Sequence, residues 1–215
     1  MTLRSDGLDI HAVLNCRGKV TGRPAAVLLH GFHSCCQEFA GLAVHLAEHE
    51  FAVLRMDLRG NGLSDGNSDD INGYVGDASA GLEYLVSAGV DKARIYLVGQ
   101  SLGAAVAITC GVVDSRAAGV VAMHPSSVYD LGAYNAASGH PDVRKPSECV
   151  GKLSPRPLLI IAGEKDHVLP CSSAEDLYAA ARQPKRMIRV KDGRHELEDA
   201  EAYALGWLLA GAPTT

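Results

Sequence analysis

In the stretch VGQSLG, residues 98–103, a serine stands between two glycines in the pattern G-x-S-x-G: Gly99, Gln100, Ser101, Leu102, Gly103. A serine hydroxyl is a poor nucleophile unless a neighbouring base takes its proton. The pattern therefore carries chemistry only if the chain also supplies a base, an acid to orient it and donors for an oxyanion. The apolar run RIYLVG leads into the motif and SLGAAVAITCGVV follows it, a strand–turn–helix setting that lifts a serine out of a sheet edge. Glycines suit such a turn because a Cβ would collide with the adjoining strand and helix. The Leu102 amide is then left at a helix N-terminus, free to donate to an anion.

Nine histidines are present, so position must decide among them. His195, in KDGRHELED, follows the last expected strand and precedes the final helix, at a strand's carboxyl end. His45 and His49 fall within a helix and His11 within an edge strand, where solvated or packed roles suit them. His124 and His167 also follow strands and stay open as alternatives. For the acid, GEKDHVLP offers Asp166, deeper in its loop with Pro170 closing the turn, and Glu164 as runner-up. In LLHGFHS the backbone around Gly31 and Phe32 can turn its amides toward the serine, so the Phe32 amide pairs with that of Leu102 as a two-donor oxyanion hole. The six cysteines (16, 35, 36, 110, 149 and 171) form no CxxC pair and no ligand-spaced cluster. They read as free thiols, with no metal and no cofactor expected.

The elements that must position these residues are legible in the hydrophobic pattern. TLRSDGLDIHAVLN reads as two short strands around an Asp6-Gly7 hairpin turn. AAVLLHG, FAVLRMD, RIYLVG, GVVAMHP and PLLIIAGE are continuous apolar runs, the mark of strands buried on both faces. Helical periodicity follows at 38–50, 72–88, 101–113, 172–182 and 196–210, with a further strand at 186–193. Strands alternating with helices after a hairpin predict an α/β fold: one mostly parallel twisted sheet of about eight strands, covered by helices on both faces. Working residues in such sheets sit beyond the carboxyl ends of the strands.

At 215 residues, with 47% hydrophobic and 21% charged side chains, the chain reads as one domain, 1–215, able to bury a full core. A net charge of −5 without a basic run argues against nucleic acid as a partner. No segment has the uninterrupted apolar length of a membrane span, and the opening MTLRSDGLDI lacks a signal-peptide core, so a cytoplasmic protein with no membrane partner is expected. The sequence does not fix the oligomeric state.

With HGF at 30–32, DLRGNGLSDG at 57–66, GQSLG at 99–103, GEKDHVLP at 163–170 and GRHEL at 193–197, the sequence resembles an α/β-hydrolase over about residues 3–210. It is most similar to small feruloyl-esterase-like and serine-aminopeptidase-like esterases. The resemblance implies Ser101 as nucleophile, Asp166 as acid, His195 as base and the Phe32 and Leu102 amides as oxyanion hole. It implies a cofactor-free serine esterase acting on small or medium soluble carboxylic esters. A thioesterase, an amidase or peptidase on the same triad, and a non-catalytic ligand-binding protein are the alternatives. Relatives carry a lid where this chain has a short cap-like insertion at about 124–156, in which Tyr129 and Tyr134 are either pocket walls or ordinary packing residues. Gly31, His33, Gln100 and His124 are further candidates for substrate contact. Cys35 and Cys36 either line the pocket or pack beneath it.

Overall fold

A computed structural model describes residues 1–128 and 145–212. The strands are β1 (Thr2–Ser5), β2 (Leu8–Asn15), β3 (Ala25–Leu29), β4 (Ala52–Met56), β5 (Ile95–Gln100), β6 (Gly119–Met123), β7 (Leu158–Gly163) and β8 (Lys185–Val190). They form one eight-stranded sheet in the order β1-β2-β4-β3-β5-β6-β7-β8. β1 and β2 pair antiparallel at one edge, β2 pairs antiparallel with β4, and every later pairing is parallel. This is the single, mostly parallel sheet of eight strands that the alternation of elements predicts.

Helices α1 (Ala40–Glu48), α2 (Tyr74–Ser87), α3 (Leu102–Val113), α4 (Pro146–Cys149), α5 (Cys171–Ala180) and α6 (Glu198–Leu209) cover the two faces. Because side chains alternate along a strand, each apolar run feeds two cores. Ala25, Val27 and Leu29 of β3 join α2, α3 and α5 on one face, whereas Ala26 and Leu28 join α1 and α6 on the other. That is why β3 reads as an unbroken apolar run rather than an alternating one.

The carboxyl edge of the sheet is where register gathers the candidate residues. Leu29 of β3 lies opposite Gly99 of β5, so the Gly31-Phe32 turn emerges beside Ser101. Gln100 lies opposite Met123 of β6, and Gly163 of β7 lies opposite Val190 of β8. The loops carrying His124, Asp166 and His195 therefore leave the same edge. Of the segment expected to be cap-like, α4 and a short 3-10 turn at Val150–Leu153 bury Cys149, Val150 and Leu153 in the core with α3. Tyr129 and Tyr134 lie outside the described residues.

Candidate active site

Ser101 links the end of β5 to the start of α3 with φ 54° and ψ −113°, a backbone conformation that a side chain rarely adopts. Its amide is held by the Met123 carbonyl at 2.9 Å. The two flanking glycines explain how so sharp a bend fits. A Cβ on Gly99 would sit 2.0 Å from the carbonyl oxygen of Gly103, and a Cβ on Gly103 would sit 2.0 Å from that of Leu29. Strand β5, helix α3 and strand β3 approach one another here more closely than any other residue allows.

His195 sits in the loop between β8 and α6, with Nδ1 2.7 Å from Oδ2 of Asp166. The other oxygen of Asp166 accepts the amides of Val168 and Leu169, both at 2.8 Å. Burial alone pushes the Asp166 carboxyl up, but the His195 contact and the two amides outweigh it and hold the group below the ordinary carboxylate value. An ionised carboxylate can only accept, so the ring proton resides on Nδ1 and Nε2 is left with its lone pair. Gly163 lets the β7 loop approach: a Cβ there would lie 2.4 Å from the Gly193 carbonyl, just before His195.

The Gly31-Phe32 peptide is fixed on three sides. The Leu58 amide donates to Nε2 of His30 at 3.0 Å, so His30 carries its proton on Nδ1 and donates to the Gly31 carbonyl at 2.7 Å. The Ser34 amide donates to the same carbonyl at 3.3 Å. Because a trans peptide is planar, the Phe32 N–H points away from those donors. The Gly31 amide donates to Oε2 of Glu38 at 2.8 Å. Among the described residues the Phe32 amide donates to no protein acceptor. The Leu102 amide, at the first position of α3, has no preceding helical turn to accept it.

Ser101 and His195 share a cavity of about 370 Å³ with Gly31, Phe32, Glu38 and Gln100. No hydrogen bond joins the Ser101 and His195 side chains, and the His195 ring nitrogen Nδ1 is taken by Asp166. Phe32, half exposed, also walls a neighbouring apolar cavity of about 290 Å³ with Ile71 and Leu102.

Other expected contacts lie elsewhere. His124 is buried and does not line the cavity, with Nδ1 3.4 Å from Asp166 Oδ2 and accepting the Gly163 amide at 3.3 Å. His33 is exposed outside the cavity walls with its ring centroid 3.8 Å from that of Phe32. Glu164 and His167 are exposed. Cys36 is buried with its amide on Asp57, and neither it nor Cys35 lines the cavities. Two trios, His124-Asp166-His195 and His11-Cys36-Asp57, bring ligand-type atoms within 4.8 Å of one another. In each, the carboxylate is already engaged by backbone amides.

Sequence reasoning passed over His30 and Glu38. His30 is itself the first residue of HGF and Glu38 lies close after it, but nothing in spacing says that the ring grips the Gly31 carbonyl or that the carboxylate takes the Gly31 amide.

The family model described as serine aminopeptidase, S33, matches residues 22–156. That range includes Phe32 and Ser101 and ends before Asp166 and His195. The uncharacterized protein YfhR of Salmonella typhi is 31% identical over 209 residues, covering 88% of this chain and 71% of its own. Among solved structures, the ferulic acid complex of Est1E from Butyrivibrio proteoclasticus superposes with a TM-score of 0.79 at 16% identity, over 98% of this chain and 97% of that one. The α/β hydrolase GrgF from Penicillium sp. sh18 gives 0.80 at 18% identity, over 97% and 96%. At these identities the two structures share the fold.

Proposed function

The chain belongs to the α/β-hydrolase family described as serine aminopeptidase, S33, and from that membership we propose that it is a serine hydrolase cleaving carboxylic esters through Ser101, His195 and Asp166. The observation that carries this reading is the backbone of Ser101, strained at φ 54° between two glycines that admit no side chain. Strain of that kind clusters at active sites, and here it belongs to a serine that shares a cavity with His195.

In the proposed reaction Ser101 Oγ adds to the ester carbonyl carbon while its proton passes to Nε2 of His195. The Phe32 and Leu102 amides hold the oxyanion, and Asp166 stabilises the imidazolium. Collapse breaks the bond to the alcohol, which leaves with the proton from His195. Water then attacks the acyl-enzyme, giving its proton to His195, and the acid departs as the proton returns to Ser101. The apolar cavity of Phe32, Ile71 and Leu102 suits a small or medium acyl or aryl group next to the reacting carbonyl.

A fluorophosphonate probe tests the reading. Wild-type protein should be labelled at Ser101, and Ser101→Ala and His195→Ala should not be. Folded wild-type protein that stays unlabelled would sink the proposal and favour a ligand-binding role. A panel of p-nitrophenyl esters of graded chain length, beside an acyl-CoA and an aminoacyl amide, separates esterase from thioesterase and amidase.

A further inference from the structure

Gln100, the residue before Ser101, is 3% exposed although it carries a primary amide. Its Nε2 donates to the backbone carbonyl of His195 at 2.7 Å, joining positions 95 apart in the chain. Its Oε1 is buried without a partner among the described residues. Gln100 also faces the cavity, but neither polar atom is available to a ligand there: one is engaged and the other closed off. A buried acceptor without a partner is a cost to stability, and a glutamine kept at that cost calls for a role other than packing.

The loop around His195 explains what the role is. Its neighbours are tied to the fold: the Lys165 amide donates to the Gly193 carbonyl at 2.8 Å, and the Arg194 amide donates to Asp199 at 2.6 Å. At residue 195 itself there are two holds, the ring on Asp166 and the carbonyl on Gln100. A ring gripped only at Nδ1 could still swing about that bond as its backbone shifts. Fixing the carbonyl to the residue adjoining Ser101 ties the position of the base to the position of the nucleophile.

We infer that Gln100 is a positioning residue that clamps the His195 backbone to the nucleophile turn and so sets the approach of the imidazole to Ser101. This inference rests on the triad proposed above, and it reassigns Gln100 from substrate contact to alignment of the base.

The test compares Gln100→Met and Gln100→Glu with wild type. Methionine keeps the shape and removes both polar atoms. Glutamate keeps size and polarity, and assayed at a pH high enough to ionise it, it cannot donate to a carbonyl. Both variants should lower kcat and the rate of fluorophosphonate labelling by about 10- to 100-fold with KM little changed, as losses of supporting hydrogen bonds around a reactive group do. Thermal unfolding of Gln100→Met should stay close to the wild-type temperature, since the orphaned Oε1 is gone while the His195 carbonyl loses its donor. The downfield Nδ1–H proton signal of His195 should broaden in both variants. A raised KM at constant kcat would overturn the clamp in favour of substrate contact, and so would wild-type rates with an unchanged proton signal. If wild type itself fails to label, the hydrolase reading falls, while the proton signal still decides whether Gln100 orders His195.

Discussion

Gly103 shows how little freedom the site has at the level of one residue. A Cβ there would meet the Leu29 carbonyl oxygen at 2.0 Å and that of His30 at 2.5 Å, both backbone atoms of the segment leading into the Gly31-Phe32 turn. Neither can yield without moving β3 or the Gly31-Phe32 peptide. Gly103→Ala should therefore destabilise the fold by about 3 kcal/mol, in the range of severe overpacking. At this chain length that lowers Tm by roughly 10 °C. Differential scanning calorimetry checks it, and an unchanged Tm would mean that β3 and α3 can separate more easily than their packing implies. The G-x-S-x-G pattern made this position legible from sequence, because glycine spacing reports directly on backbone proximity. His30 was not legible in the same way. Its work depends on Nε2 meeting a donor and Nδ1 an acceptor, and a lone histidine before a glycine carries no trace of that.

At the level of elements, the loop after β4 shows how a buried charge can hold a segment in place. Arg59, 3% exposed, donates to Asp77 of α2 through Nε and Nη2, and its backbone amide donates to the same carboxylate at 2.9 Å. Asp6 accepts from Nη2 at 2.8 Å and Asp70 from Nη1 at 2.9 Å, with Ser5 Oγ 3.2 Å from Nη2. Asp57 accepts the Cys36 and Leu63 amides at 2.6 and 2.9 Å, so the same loop also braces the turn that follows Phe32. Asp77→Ala would leave the buried guanidinium with partners only at its outer edge. Breaking a buried pair on one side costs about 3–5 kcal/mol, and the two remaining aspartates place this variant near the lower bound. Urea unfolding measures it, and a loss under about 1 kcal/mol would show that Asp6 and Asp70 suffice. DLRGNGLSDG, a glycine-rich turn that carries charge, reads in sequence as a loop with Asp57 and Arg59 pinned by local hydrogen bonds. Asp77 was out of reach because it lies on a helix face whose neighbour is set only by packing. The strands were the most legible elements, as β3, β5 and β7 are apolar on both faces and cannot sit at a surface. The segment 145–156 was harder to read. Its Pro, Gly and Ser content suggests a loop, while Cys149, Val150 and Leu153 are in the core.

Over the whole molecule, the buried histidines set how stability responds to pH. Burial pushes His30 below the ordinary histidine value of 6.5, against the opposing pull of the Gly31 carbonyl, Glu38 and Asp57. Burial does the same to His124, with Asp166 opposing and His195 reinforcing the shift. In the unfolded chain both rings take up protons as pH falls through 6.5, while in the folded protein they stay neutral to lower pH. The unfolded state then binds more protons, so stability is fully present above about pH 6.5 and declines as pH falls toward the folded values. A second loss follows below pH 3.8, as the lowered carboxyls of Asp57, Asp114 and Asp166 are forced to protonate. Between those two ranges the histidines govern the slope. Unfolding free energy measured by urea titration should hold level from pH 8 to 7 and fall between pH 6.5 and 5. His30→Asn, which cannot titrate, should start from a lower stability and show a shallower fall across the same range. Equal slopes in the variant and wild type would mean that His30 gains its proton within the fold as readily as outside it, and that the Gly31 turn survives the charge.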